Sequence, residues 1–196
     1  MVNRNRKFIG TICSGLLALF FTSHAHAAFV KLPNPVPLSD DSLELLRNAS
    51  ASGGQSWKLV VFGFTHCSDI CPRSLESLSR LVKVAREKNI GLDGIFVSID
   101  PDRDTDSVLD RYTGPFGKNT SYLRLEDQAL DRFKDQFGVE AVFYTKNRGN
   151  DFFYQVDHST TAFFVDPTGK IRLVFDALED SNSAETMLRE NQAFFQ

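Results

Sequence analysis

An α/β fold with a central mixed β-sheet flanked by helices follows from three features of this 196-residue sequence. Trp57 to Phe64 (WKLVVFGF) is a near-continuous apolar, β-rich run, as expected of a strand covered on both faces. From Pro72 onward, Leu75, Leu78, Leu81, Val82 and Ala85 recur at helical spacing. Gly94 to Asp100 (GIFVSID) is a second buried strand. Strand, helix and strand of these lengths make a right-handed βαβ unit with parallel strands.

The remaining elements follow in chain order. Residues 1–27 stand apart from the fold. MVNRNRK is basic, FIGTICSGLLALFFT is apolar, and Ala25-His26-Ala27 offers an A-x-A cleavage site. The apolar run is short for a membrane span, which favours a cleaved signal peptide over a retained anchor. Cys13 lies inside that run and leaves with it. Residues 28–56 read as a linker and N-terminal extension. Leu32 to Ser39 is Pro-rich and extended, Asp40-Asp41-Ser42 can start a short helix, and Asn48 to Ser56 is a Gly/Ser loop.

Residues 57–196 form the predicted domain. Pro72 suits the first turn of the long helix, where its missing N–H costs nothing, and the helix ends near Asn89-Ile90-Gly91. Asp104 to Tyr112 and Asp127 to Phe137 read as helices closing near Gly114 and Gly138. Leu123-Arg124-Leu125 is a short strand between them, Val139 to Tyr144 a further strand, and Thr145 to Asp151 a turn before Phe152 to His158. Thr161 to Phe175 is a hairpin turning at Asp166-Pro167-Thr168-Gly169. Asp180 to Ser183 supplies caps for a last helix reaching about Phe194. A βαβ unit followed by a ββα end is the thioredoxin-like plan. The aromatic pairs Phe152-Phe153 and Phe163-Phe164 read as core, and Phe194-Phe195 as core or a frayed end.

Composition narrows the function. Without Arg4, Arg6 and Lys7 the formal charge moves from −3 to −6, and no basic or aromatic-basic stripe remains, so nucleic acid is excluded as a partner. Two of three cysteines and two of four histidines survive removal of the signal: Cys67, Cys71, His66 and His158. With Met187, the one methionine left of two, these are the whole soft-ligand inventory, and any soft-metal site must be built from it. Cys67 and Cys71 form C-x-x-x-C-P between the first core strand and the first long helix. A disulfide closing so short a loop would gain little unfolded-state entropy, which points to chemistry rather than stapling. Thiolates at a helix N-terminus meet unpaired N–H groups and the positive end of the macrodipole, which predicts a lowered thiol pKa. Two thiolates suit Cu(I), and an added imidazole makes a three-coordinate site that also tolerates Cu(II), whereas zinc would want a fourth ligand. His66, beside Cys67, is expected to point away from it. His158 is the better third donor, because the loop before the hairpin faces the cysteine loop in this plan. Redox exchange and purely structural cysteines remain open on these residues alone.

Phe62 to Pro72 (FGFTHCSDICP), Val97 to Thr105 (VSIDPDRDT), Val156 to Thr160 (VDHST) and Val165 to Lys170 (VDPTGK) together resemble the Sco/SenC family of copper chaperones. The similarity runs from about Trp57 to Phe175, and Cys71 and His158 stand at the separation expected of that family. The resemblance implies that Cys67, Cys71 and His158 bind one copper ion, as Cu(I) or Cu(II), in a thioredoxin-like domain exported across or tethered to a membrane. It implies as partner the CuA-bearing subunit of cytochrome c oxidase, with an upstream copper donor or a thioredoxin-like reductant besides. Some family members look like thiol-disulfide reductants of that subunit's cysteines, so an oxidoreductase is the alternative to a non-enzymatic chaperone. A binding module with a vestigial site is the third reading, weakened by the presence of all three ligands. Ser68 departs from the proline common at that position.

Three carboxylates flank these ligands. Asp69 is a helix N-terminal acid or a partner contact. Asp157, next to His158, either steers a partner or orders the backbone. Asp100 sits at a strand's carboxyl end, where α/β sites gather, and is expected to shape its loop together with Pro101 and Arg103.

Overall fold

The computed structural model describes residues 29–145, 154–176, 178 and 181–196. The expected signal segment, the turn between Thr145 and Asp151, the pair Phe152-Phe153 and the cap at Asp180 lie outside the described residues. The elements run β1 (Phe29–Pro37), α1 (Asp40–Ala49), β2 (Trp57–Gly63), α2 (Ile70–Glu87), β3 (Leu92–Ser98), α3 (Asp106–Thr113) and β4 (Thr120–Leu123). They continue with α4 (Asp127–Phe137), β5 (Ala141–Thr145), β6 (Tyr154–His158), β7 (Ala162–Val165), β8 (Lys170–Phe175) and α5 (Ser181–Glu190). Six strands form one mixed sheet in the order β1-β8-β7-β2-β3-β4, and β5 and β6 pair by themselves. The β2-β3 and β3-β4 pairs are parallel, while β7 joins β2 and β8 antiparallel.

All seven residues of β2 are buried, because the alternation of its side chains serves two cores. Trp57, Leu59 and Val61 pack with Leu75, Leu78 and Leu81 of α2 and with Met187 and Leu188 of α5. Val60 and Phe62 pack on the other face with Leu130, Phe133 and Phe137 of α4 and with Leu46 of α1. Helix α2 seats close on β3, where a Cβ at Gly94 would lie 2.0 Å from Leu78 Cδ2. Phe163 and Phe164 are buried, and Phe195 is buried against Trp57, whose Nε1 donates to the Phe195 carbonyl at 3.1 Å.

The Pro-rich stretch expected as a tether is instead edge strand β1. Phe29, Val30 and Lys31 pair with Phe175, Val174 and Leu173, and Val36 and Pro37 pair with Ile171 and Lys170. Pro33 and Pro35 fall in the register break between Lys31 and Val36. On an outer edge their missing N–H groups remove no second ladder, which is where proline is tolerated in a sheet. Composition read as a linker because the pairing that uses this strand, with β8, lies more than a hundred residues away.

Candidate metal centre

The cysteine loop leaves the carboxyl end of β2 and enters α2. A turn closes it, with the Cys67 N–H donating to the Phe64 carbonyl at 3.2 Å. Helix α2 starts at Ile70, so Cys71 lies inside its first turn, with Pro72 the next residue. Asp104, fully buried just before α3, anchors the loop from below. Its carboxylate accepts from the Thr65 N–H (3.2 and 3.1 Å), the Thr65 hydroxyl (2.6 Å) and the Ser98 hydroxyl (2.7 Å).

Hairpin β5-β6 brings His158 to this loop. Its Nε2 lies 3.9 Å from Cys71 Sγ. Its Nδ1–H donates to the Ser159 carbonyl at 2.8 Å. A carbonyl only accepts, so the proton sits on Nδ1 and the Nε2 lone pair is left facing the sulfur, the arrangement expected of a metal-ligating imidazole. Burial lowers the His158 pKa and outweighs the Ser159 carbonyl and Asp157, which raise it. The ring is also packed edge-on against Phe64 at 5.9 Å.

The two thiols differ. Both are free; Cys71 is buried and Cys67 half-buried. The helix N–H that was expected to favour thiolates serves Cys67, whose sulfur accepts from the Cys71 N–H at 3.4 Å. The expected lowering does not hold for Cys71. Burial raises its pKa strongly, the Phe64 backbone lowers it and Cys67 raises it further. Desolvation of the anion outweighs the helix end because the Cys71 side chain turns into the core rather than toward the exposed N–H groups. Among the described residues no three of His, Cys, Asp and Glu converge as a ready-made metal cluster. Cys71 and His158 form the close pair, and Cys67 stands beside them with its sulfur on a backbone N–H.

Above them is a groove of about 460 Å³ lined by Phe64, His66, Cys67, Asp69, Tyr144 and Asp157, among others. His66 was expected to point away from Cys67; both residues line this groove, and His66 Nδ1 lies 3.3 Å from the Thr65 hydroxyl. Asp69 is at the N-cap of α2 but makes no capping bond; it is exposed, 3.9 Å from Arg73. Asp157 is exposed on β6. Asp100 is different. It is buried and accepts from the Tyr154 hydroxyl and from Arg103 Nε, while Arg103 Nη1 donates to the Tyr154 carbonyl at 3.1 Å and its guanidinium covers the Tyr154 ring at 3.6 Å. This clamp ties the start of the histidine-bearing strand to the end of β3.

Sequence reasoning passed over Gly63, Asp104 and Tyr154. A Cβ at Gly63 would lie 2.7 Å from Phe96 Cε2 and 3.0 Å from Cys71 Sγ, so the glycine makes room for the buried thiol. A glycine interrupting an otherwise β-rich run was the available signal. Asp104 and Tyr154 carried none, since their partners come from distant segments. Gly63→Ala is expected to cost about 1–3 kcal/mol by overpacking, read as a lower urea-unfolding midpoint. An unchanged midpoint would mean that Phe96 and Cys71 yield freely.

The SCO1/SenC family model matches residues 37–193. A SCO2-like protein of Rickettsia felis is 34% identical over 143 residues, covering 72% of this chain and 67% of that protein. Apo Sco1 of Thermus thermophilus, solved in solution, has a TM-score of 0.65 at 28% identity over 85% of this chain and 99% of that one. Yeast Sco1, solved with copper bound, shares the fold at a TM-score of 0.64 and 24% identity over 84% of this chain and 90% of that one.

Proposed function

We propose, because this chain belongs to the SCO1/SenC family, that it is a copper metallochaperone holding one copper ion through Cys67, Cys71 and His158. The observation that carries this reading is the 3.9 Å approach of His158 Nε2 to Cys71 Sγ with the Nδ1 proton held elsewhere. That gap is close to the span of two metal–ligand bonds of about 2.0–2.3 Å each. Two sulfurs and one imidazole are a soft donor set, which suits Cu(I) and tolerates Cu(II). Cys67, half-buried at the groove, completes the set by rotating its sulfur off the Cys71 N–H.

The Sco1 of yeast and the ScoI of Arabidopsis thaliana have been solved with copper bound, and a further relative is described as a member of a family of cytochrome c oxidase assembly proteins. By that likeness the recipient is the CuA-bearing subunit of the oxidase. An apolar rim supports a protein partner: Ile70 and Tyr144 line the groove, Val142 and Phe143 precede Tyr144 on β5, and all four are exposed. The basic-then-apolar segment ending at Ala25-His26-Ala27 supports export to the periplasm, with that segment cleaved or kept as an anchor. Among the described residues no helix is long and apolar enough to cross a membrane.

A second reading, a thiol-disulfide reductant of the recipient's cysteines, is favoured by the half-buried Cys67 with Cys71 four residues on. Copper titration of the purified, reduced protein tests the first. One equivalent should bind, with sulfur-to-metal charge-transfer absorption for Cu(II). Absence of that band, with the thiols intact, would leave the redox reading.

A further inference from the structure

Three polar side chains around the cysteine loop form a relay that ends in the groove. Asp104 is buried, and the Thr65 hydroxyl donates to it at 2.6 Å. With its hydrogen committed there, the Thr65 oxygen is left to accept from His66 Nδ1–H at 3.3 Å. His66 Nδ1 also lies 4.0 Å from the Asp104 carboxylate. A hydroxyl that is itself anchored on a carboxylate, accepting from Nδ1–H, is a way proteins fix an imidazole that offers Nε2 to a metal. His158 is fixed in the same tautomer by Ser159.

The two imidazoles sit at different depths. His66, about half exposed, lines the groove together with Cys67, whereas neither Cys71 nor His158 is among its lining residues. An ion arriving from solvent or from a partner therefore meets His66 and Cys67 before it can reach the buried thiol.

Resting on the copper reading above, we propose that His66 and Cys67 form an outer, first-contact copper site from which the ion passes inward to Cys71 and His158. The step is ligand exchange without change of oxidation state. The Cu–N bond to His66 breaks, bonds to Cys71 Sγ and His158 Nε2 form, Cys67 stays bound, and the Cys71 thiol proton leaves to solvent. Release to a partner runs the same exchange backwards. His66 is thus a transfer ligand and not a member of the resting set.

The test is kinetic. Cu(I) supplied as its bicinchoninate complex is followed into wild-type protein and His66→Ala, release is driven by excess chelator, and the equilibrium Kd is measured for both. Since a transfer ligand changes the path and not the end states, loading and release should slow together by about tenfold, a modest loss on the scale of metal-site substitutions, with Kd and thermal midpoint unchanged. Equal rates in the two proteins would overturn the proposal. So would a Kd that weakens as much as loading slows, which would make His66 a resting ligand or a support for one. Binding of one equivalent by wild type in the same series holds the copper reading apart from this outcome; wild type that binds none would sink that reading instead.

Discussion

His158→Ala is expected to weaken Cu(II) binding by about 100-fold or more and to bleach the sulfur-to-copper absorption at stoichiometric metal. Loss of a hydrogen-bond partner behind a ligand already costs about 10–100-fold in metal affinity, so loss of the ligand itself belongs at or above the top of that range. The imidazole is held in a single orientation. Its Nδ1 is engaged by Ser159, its Nε2 faces Cys71, and Phe64 packs against the ring. Cu(I) should be weakened less, because two thiolates suffice for it. Competition against a chelator for each oxidation state measures both. The same variant separates the copper reading from the redox reading. A reductant needs Cys67 and Cys71 but not His158, so a variant that still reduces a disulfide on the recipient and has lost Cu(II) would divide the activities. Wild-type Cu(II) affinity in His158→Ala would show that the third donor is some other group.

The second large effect lies at the other end of the sheet. Asp93→Ala is expected to cost about 1–3 kcal/mol, the penalty for leaving buried hydrogen-bond donors without their acceptor. Asp93 is fully buried and accepts from the hydroxyls of Ser50, Ser52 (2.8 Å) and Ser56 (2.7 Å), the Ser52 N–H (3.1 Å) and Asn119 Nδ2 (2.8 Å). Beside it on β2, buried Lys58 gives its ammonium to the Gly53 and Ser56 carbonyls and the Ser56 hydroxyl, each at 2.7 Å. Removing Asp93 orphans the donors of the loop before β2 and takes away the carboxylate that favours the charged form of Lys58 across the strand pair. Urea unfolding reads the loss, and a change below about 0.5 kcal/mol would refute the assignment, being no more than an ordinary surface substitution costs.

Acid gives an independent check on the same residue. Burial raises the Asp93 pKa, but the bonds from Ser50, Asn119, Ser56 and Ser52 together outweigh it and hold the carboxyl below its ordinary value. The unfolded chain therefore binds a proton first as pH falls. The contribution of Asp93 is present above about pH 4 and lost below it, as pH descends through the folded-state value. Asp93→Asn should flatten that part of the stability curve.

The Asp93 network and the candidate metal centre differ in how far local sequence announces them. Cys67 and Cys71 are neighbours in the chain, and a β-rich run followed by a helical stripe places them at a strand-to-helix corner without tertiary information. His158 could be matched to them because few donors remain once the N-terminal segment is set aside. Ser50, Ser52 and Ser56, by contrast, have the composition of a flexible loop. Only their convergence on Asp93 and Lys58 makes them an anchor. The prolines of β1 misled for the same reason, since a strand that owes its existence to β8 has no periodicity of its own to declare.

Local periodicity thus determined the β2-α2-β3 unit, the closing hairpin and the position of the thiol pair, because these rest on contacts within a turn or a neighbouring strand. Tertiary packing decided the rest. It set which sulfur is buried and which receives the helix N–H, the tautomer of His158, the Asp100–Arg103–Tyr154 clamp and the place of His66 at the groove. Burial of Cys71 depends on desolvation, and the clamp on hydrogen bonds between segments far apart in the chain. The Cys71–Cys67 and His158–Ser159 bonds are local, but they form only where the folded loops set those side chains, and none of this leaves a mark in residue order.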